Sequence, residues 1–157
     1  MVSEIETNPG DFSDHAALHA LLTEAFSPMA GRIDPPSSLT SMSLEDIARK
    51  AAAEDLFLLR AGNRPIACVF AAPRGESYCL GKLAVARDMR GRGLARGLIE
   101  AAGTRARGLG LRELELQTRV ELTENHAVFV ALGFRETGRT CHPGYARPTS
   151  VTFRKPV

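Results

Sequence analysis

Leu83-Ala-Val-Ala-Arg-Asp-Met-Arg-Gly-Arg-Gly-Leu-Ala95 is the stretch on which the reading of this chain turns. An apolar strand runs into a turn with two glycines and then straight into a helix. Gly91 and Gly93 let the backbone approach a ligand closely, and the first amides of a helix lack intrahelical acceptors. Those donors and the positive end of the helix favour phosphate oxygens, which Arg90, Arg92 and Arg96 can neutralise. The segment therefore reads as a pyrophosphate seat. It is not a P-loop, because no G-x-x-x-x-G-K-[ST] is present, and G-x-G-x-x-G fails at Arg96. The competing reading is an ordinary helix start with solvated arginines.

The flanking patterns place this turn in a fold. Downstream, residues 91–108 carry Leu94, Leu98, Ile99, Ala102 and Ala106 at helical spacing, closed by Gly108 and Gly110. Residues 111–118 alternate as a strand, with Leu114 and Leu116 on one face and Glu113, Glu115 and Gln117 on the other. A short helix over 123–132 stops at Gly133, and two strands, about 135–141 and 150–155, close the chain. Upstream lie a strand over 78–85 and two apolar runs, 56–61 and 66–72, joined by a Gly62-Asn63-Arg64-Pro65 hairpin. Before them, Ser43-Leu-Glu-Asp46 resembles a capping box that opens a helix to about Ala53. Asp14 can cap a helix with the stripe Ala17, Leu18, Leu21, Leu22, Ala25 and Phe26. Residues 2–7 read as a first strand closed by Asn8-Pro9-Gly10, and the Pro-rich segment 27–43 as a loop shaping a pocket mouth. The order β-α-α-β-β-β-α-β-α-β-β predicts an α/β chain with a mixed sheet. Its central strand–helix–strand unit implies a parallel pair in an otherwise antiparallel sheet.

Composition narrows the class. With 157 residues, no repeat, no low-complexity tract and no long linker, residues 1–157 read as a single domain. No apolar run approaches a membrane span, and the N-terminus lacks signal-peptide regions. Cys68, Cys79 and Cys141 are an odd number without metal-ligand spacing, which fits free thiols in a reducing compartment. A cytoplasmic protein with no membrane partner is expected. The net charge of +2 conceals a segment, 87–112, with seven Arg against Asp88 and Glu100. That concentration points to an anionic ligand there. His15 and His19 stand four apart on the first helix, but no third ligand completes a site, so no metal is expected.

Arg90-Gly-Arg-Gly-Leu-Ala95 resembles the R/Q-x-x-G-x-G/A signature of the GNAT acyltransferase superfamily. Leu83-Ala-Val85 looks like that family's splayed strand, and Phe129-Val-Ala-Leu-Gly-Phe134 like its second hallmark, an aromatic-x-x-Leu-Gly-Phe ending a short helix. The element order also matches over nearly the whole chain. The resemblance implies the GNAT fold, with a central splayed parallel pair and helices on both faces. It implies acetyl-CoA as co-substrate, with Leu83, Ala84 and Val85 pairing with the pantetheine arm as an added strand does. Arg90, Gly91, Arg92, Gly93, Leu94 and Ala95 would hold the pyrophosphate. The acceptor amine would attack the thioester directly in a ternary complex. Catalysis is then mostly positioning, with a backbone amide near Ala84 or Val85 stabilising the developing oxyanion.

Two positions depart from the family pattern. Phe129 stands where many relatives carry a Tyr, and a Phe cannot protonate the leaving thiolate; it reads as packing against the pantetheine arm. Leu122 occupies a place often held by Asn, while Asn125, a turn later, is a candidate cofactor contact or an ordinary first-turn residue. A general base is needed only where the acceptor amine arrives protonated. Glu115, on the strand that would flank the thioester, and Glu121, just past its end, are candidates, with a solvated or ion-paired role as the alternative. His142, in the loop over 140–148, has a suitable intrinsic pKa, though a lone loop histidine is often merely exposed. Tyr145 could donate a proton or close the pocket, and Asp34 could pair with a cationic acceptor or cap the Pro35-Pro36 turn.

The expected activity is N-acetylation of a primary amine, a small or amino-acid-like molecule rather than a protein. A homodimer is common in the superfamily. One alternative is a non-catalytic acyl-CoA sensor, suggested by Phe129. The other is a nucleic-acid module using the arginines, disfavoured because RNP aromatics, zinc-finger spacing and a basic tail are absent.

Overall fold

The computed structural model describes residues 4–157. Its elements follow the expected order. Strand β1 is Glu6–Thr7, and the part of the predicted first strand at residues 2–3 lies outside the described residues. Helix α1, His15–Phe26, begins where Asp14 accepts the Ala17 amide at 3.0 Å, and it buries Leu18, Leu21 and Leu22. Helix α2, Leu44–Ala53, carries both arms of the capping box: Asp46 N–H to Ser43 Oγ at 3.1 Å and Ser43 N–H to Asp46 Oδ2 at 2.8 Å. Asp in place of Glu is long enough for the reciprocal bond.

Strands β2, Asp55–Ala61, and β3, Arg64–Arg74, form the hairpin, with Gly62 at φ +63° in its turn. Strand β4 is Ser77–Val85, α3 is Leu94–Gly108, β5 is Glu113–Arg119 and α4 is Thr123–Ala131. Strands β6, Arg135–Thr140, and β7, Ser150–Pro156, complete a seven-stranded sheet of order β1-β2-β3-β4-β5-β7-β6. Among the described strands only β4 and β5 run parallel. Successive residues 56–59 and 66–71 are all buried, so both faces of the sheet centre are covered. Helix α1 packs with α2 and against β3 and β4, and α3 lies along β2 to β5.

Two boundaries shift for physical reasons. Helix α3 starts at Leu94 rather than at residue 91, because Gly91 and Gly93 hold φ near +77° and +75°, outside helical geometry. Strand β5 starts at Glu113 because the preceding residues close the helix: the amide of Leu111 donates to Ala106 O at 2.9 Å.

The β4–β5 pair determines where a site can form. Its register runs only through Ser77–Glu113, Tyr78–Leu114 and Cys79–Glu115. Beyond that point β5 continues along β7 to Arg119, while β4 continues along β3 to Val85. A bulge marks the divergence: Cys68 faces Ala84 and Phe70 faces Gly81, so Lys82 and Leu83 together oppose Val69. Lys82 takes φ +53° there, the kind of local distortion that bends a strand away from its neighbour.

Candidate active site

The gap between the diverging strands opens into a cavity of about 390 Å³. Lys82 and Leu83 line it from β4, Gln117, Thr118 and Arg119 from β5, with Phe129 of α4 and His142 closing it. The Ala86 amide donates to Ile66 O at 2.8 Å, so Ala86 faces β3. Strand alternation then turns the amide of Val85 away from β3 and keeps that of Ala84, which is buried, on β3. Of the two residues considered for an oxyanion contact, Val85 is the one whose amide is directed away from β3.

One turn further along, residues 90–93 lead into α3. A Cβ on Gly91 or Gly93 would meet nothing within 4 Å, so the space in front of the turn is open. The first helical bond is Gly97 N–H to Gly93 O at 3.1 Å, which leaves the amides of Leu94, Ala95 and Arg96 without helical acceptors. Among the described residues no side chain caps them. Arg90, Arg92 and Arg96 are exposed and make no ion pair among the described residues. Free amide donors at a helix N-terminus border one open space, and three arginines without ion pairs flank it in the chain, which suits a pyrophosphate.

The candidate bases separate sharply. Glu115 is 5% exposed and sits at the last paired position before the strands part. One oxygen accepts from Arg154 Nε and Nη2 at 2.9 and 2.7 Å, and the other from Arg74 at 2.9 Å. Both oxygens are occupied, so the ion-paired alternative describes this residue. Glu113 is tied to Ser77 and Arg154. Truncation of Glu115 to Ala should therefore act on stability. It leaves Arg74 without an ion-pair partner among the described residues and Arg154 with Glu113 alone, and because both arginines are partly exposed the expected loss is about 2 kcal/mol, or about 4–8 °C in Tm. A thermal melt checks this, and a loss of turnover with Tm unchanged would restore Glu115 as a base.

Glu121 lies just past β5. Its Oε2 accepts the Asp34 amide at 3.3 Å, and its Oε1 is buried without a partner among the described residues. It contributes to the field at His142, raising that imidazole's pKa, while burial first and Arg119 second push it the other way. The balance holds His142 below the usual 6.5, so the neutral ring predominates at pH 7. Thr149, fully buried, anchors the ring from below. The Thr149 hydroxyl donates to Thr140 O at 3.4 Å and accepts the His142 backbone N–H at 2.9 Å. It also meets ring Nδ1, so that ring nitrogen is engaged by Thr149. The side chain lines the cavity, and its Nε2 makes no hydrogen bond among the described residues.

Other expectations change. Asp34 is not open to a cationic acceptor: it accepts Tyr145 Oη at 2.6 Å and pairs with Arg147 at 3.4 Å. This bond clasps the loop over 27–43 to the loop over 140–148, and it commits the Tyr145 proton to Asp34. Phe129 is half-buried, packed on Phe134 and Phe153 with both centroids 6.0 Å away. The Asn125 side chain makes no hydrogen bond among the described residues, while Leu122 is buried. Cys68 is buried and its thiol pushed up to about 12, so it is inert, as expected of a core thiol; Cys141 by contrast is exposed. Lys82, Arg119 and Thr149 were not among the residues predicted for the site. The bulge that aims Lys82 inward and the pairing that places Thr149 under His142 leave no local sequence signal.

The sequence model of the acetyltransferase (GNAT) family matches residues 15–134. No curated protein sequence matches the chain. Among solved structures, an acetyltransferase from Thermus thermophilus is 26% identical, with 99% of this chain and 98% of that one covered, at a TM-score of 0.71. The PaiA N-acetyltransferase of Thermoplasma acidophilum, solved with coenzyme A, is 15% identical, covers 99% and 100%, and has a TM-score of 0.75. A GNAT family acetyltransferase from Elizabethkingia anophelis, solved with acetyl-CoA, is 17% identical, covers 99% and 98%, and has a TM-score of 0.69.

Proposed function

The chain belongs to the acetyltransferase (GNAT) family of acyltransferases, and on that premise we propose that it transfers the acetyl group of acetyl-CoA to the primary amine of a small, amino-acid-like acceptor. The observation that carries this reading is the juxtaposition of the open glycine turn with the cavity between β4 and β5. Backbone amides of residues 90–95 would hold the pyrophosphate, with Arg90, Arg92 and Arg96 neutralising it. The backbone of Leu83 and Val85 would pair with the pantetheine arm. Phe129 and Asn125 would border that arm.

The thioester carbonyl would then lie at the gap, where the Val85 amide can stabilise the developing oxyanion. His142 Nε2 takes one proton from the acceptor ammonium and frees its lone pair; the nitrogen then bonds to the carbonyl carbon and gives its second proton to solvent as the carbon–sulfur bond breaks. The sulfur leaves as thiolate, for which no side-chain acid is required: a thiol of pKa about 8.5 is a tolerable leaving group. Phe129 is compatible with that course. Glu121 acts on His142 through its field and does not touch the amine.

Residues 1–157 act as one acetyltransferase domain in this reading, and a reducing, cytoplasmic setting suits its three free thiols. Among the described residues no helix is long and apolar enough to cross a membrane. The fully exposed edge strand β6 is a surface at which two copies could pair. The test is acetyl-CoA-dependent thiol release across amines, polyamines, amino acids and short peptides. Release with a small-amine class above the hydrolysis background is expected. Release with peptides alone would overturn the acceptor assignment.

A further inference from the structure

Two cations line the cavity between β4 and β5 without a carboxylate partner. The Lys82 ammonium is half-buried; it donates to Ser38 Oγ at 2.7 Å and lies 5.7 Å from the centre of the Phe26 ring. Arg119 donates to the carbonyls of Pro35 and Pro36 at 2.6 and 3.2 Å. Neither makes an ion pair among the described residues. Of the acidic groups nearby, Glu54 pairs with Lys50 at 2.7 Å, and Glu121 accepts the Asp34 amide through Oε2 and makes no ion pair among the described residues. Burial, and then the charges of Lys50 and Arg119, push the Lys82 ammonium below its ordinary pKa. A partly desolvated cation beside a second cation is an unfavourable arrangement that an incoming anion relieves.

An apolar cavity of about 580 Å³ adjoins this one and shares Phe26, Met29, Ile33, Pro36 and Ser37 with it. Leu39, Met42 and Ala30 extend it, giving room for a large aliphatic or aromatic side chain. Within the acetyl-transfer reading above, on which this rests, we propose that Lys82 and Arg119 bind the carboxylate of the acceptor while the apolar cavity takes its side chain. The acceptor is then a free α-amino acid with an apolar side chain. Its amine faces His142 across the same cavity. A charge-assisted pair to each cation fixes the orientation of the amine, and an acceptor lacking the carboxylate leaves both cations unmet.

The test compares leucine, methionine and phenylalanine with their carboxamides and with 3-methylbutylamine and phenethylamine, at saturating acetyl-CoA. Free amino acids should exceed the amides and amines by at least about 100-fold in kcat/KM. Lys82→Met and Arg119→Gln should each shrink that ratio by about tenfold or more, with the acetyl-CoA thermal shift retained. Amides or amines as good as the amino acids, or a ratio unmoved in both variants, would overturn the assignment. A binding arm separates it from the transfer reading: N-acetyl-leucine against N-acetyl-leucinamide, read as thermal shifts with coenzyme A present. Selectivity for the carboxylate that is lost in Lys82→Met supports the subsite even where turnover is absent. Equal shifts for the two overturn it, whereas a missing acetyl-CoA shift counts against the transfer reading alone.

Discussion

In Gly93→Val, acetyl-CoA should no longer stabilise the protein. For the wild type, a ligand at about 100 times its Kd adds about 2.7 kcal/mol, which for a chain of this size is about 5–10 °C in Tm. Two effects remove that gain. Gly93 holds φ +75°, a left-handed conformation that disfavours any side chain and most of all a β-branched one. The variant should therefore lose about 1–2 kcal/mol of its own stability, or re-form the turn with a different backbone and misdirect the amides of Leu94 and Ala95. The added side chain would also project into the open space in front of the turn, where no described residue lies within 4 Å of its Cβ position. Thermal melts with and without acetyl-CoA separate the two: the baseline drop reports strain, and the missing ligand shift reports the blocked seat. A shift of wild-type size in Gly93→Val would mean that the pyrophosphate binds elsewhere.

Replacing His142 with Gln should lower kcat/KM by about 10²–10⁴-fold, the usual contribution of a positioned base. The pH profile gives the sharper test. The His142 pKa is held below 6.5, chiefly by burial and next by Arg119, so the neutral base predominates at pH 7 and is lost as the pH falls through that lowered value. The wild-type log kcat/KM should thus rise with a slope near one at a midpoint below pH 6.5, then level off. In His142→Gln that limb should vanish. Thr149→Val, which removes the hydroxyl that holds Nδ1, should retain acetyl-CoA binding and lose activity to a smaller degree. A His142→Gln enzyme with the same ascending limb would move the base to another group, with Glu121 first in line because its Oε1 is buried and unpartnered among the described residues.

Much of this site is local. The phosphate-facing turn needs only two glycines, a following helix and nearby arginines, all contiguous in the chain, and the structure keeps those amides free and that space open. The helix caps at Asp14 and Ser43 were legible for the same reason, since each bond spans three residues. The acceptor side is built from distant segments. Glu115 shares its strand face with Glu113 and Gln117, so in sequence it has the look of an exposed base, yet Arg74 and Arg154 reach it across 41 and 39 residues. Asp34 presented itself as an isolated charge in a loop, and Tyr145, 111 residues away, claims it.

Hydrophobic periodicity, turn glycines and capping residues by themselves determined the element order, the mixed sheet and the anion-facing turn, because each is a short-range consequence of backbone geometry. The tertiary structure decided which charges are free. Pairing β5 with β7 and bending β4 at Lys82 set which side chains end up within hydrogen-bonding reach, and a charge acts on a ligand only after its partners in the protein have been satisfied. Through that accounting the arginines around Glu115 remove it as a base, Thr149 engages Nδ1 of His142 beside the cavity, and Lys82 and Arg119 remain as cations that await an anion.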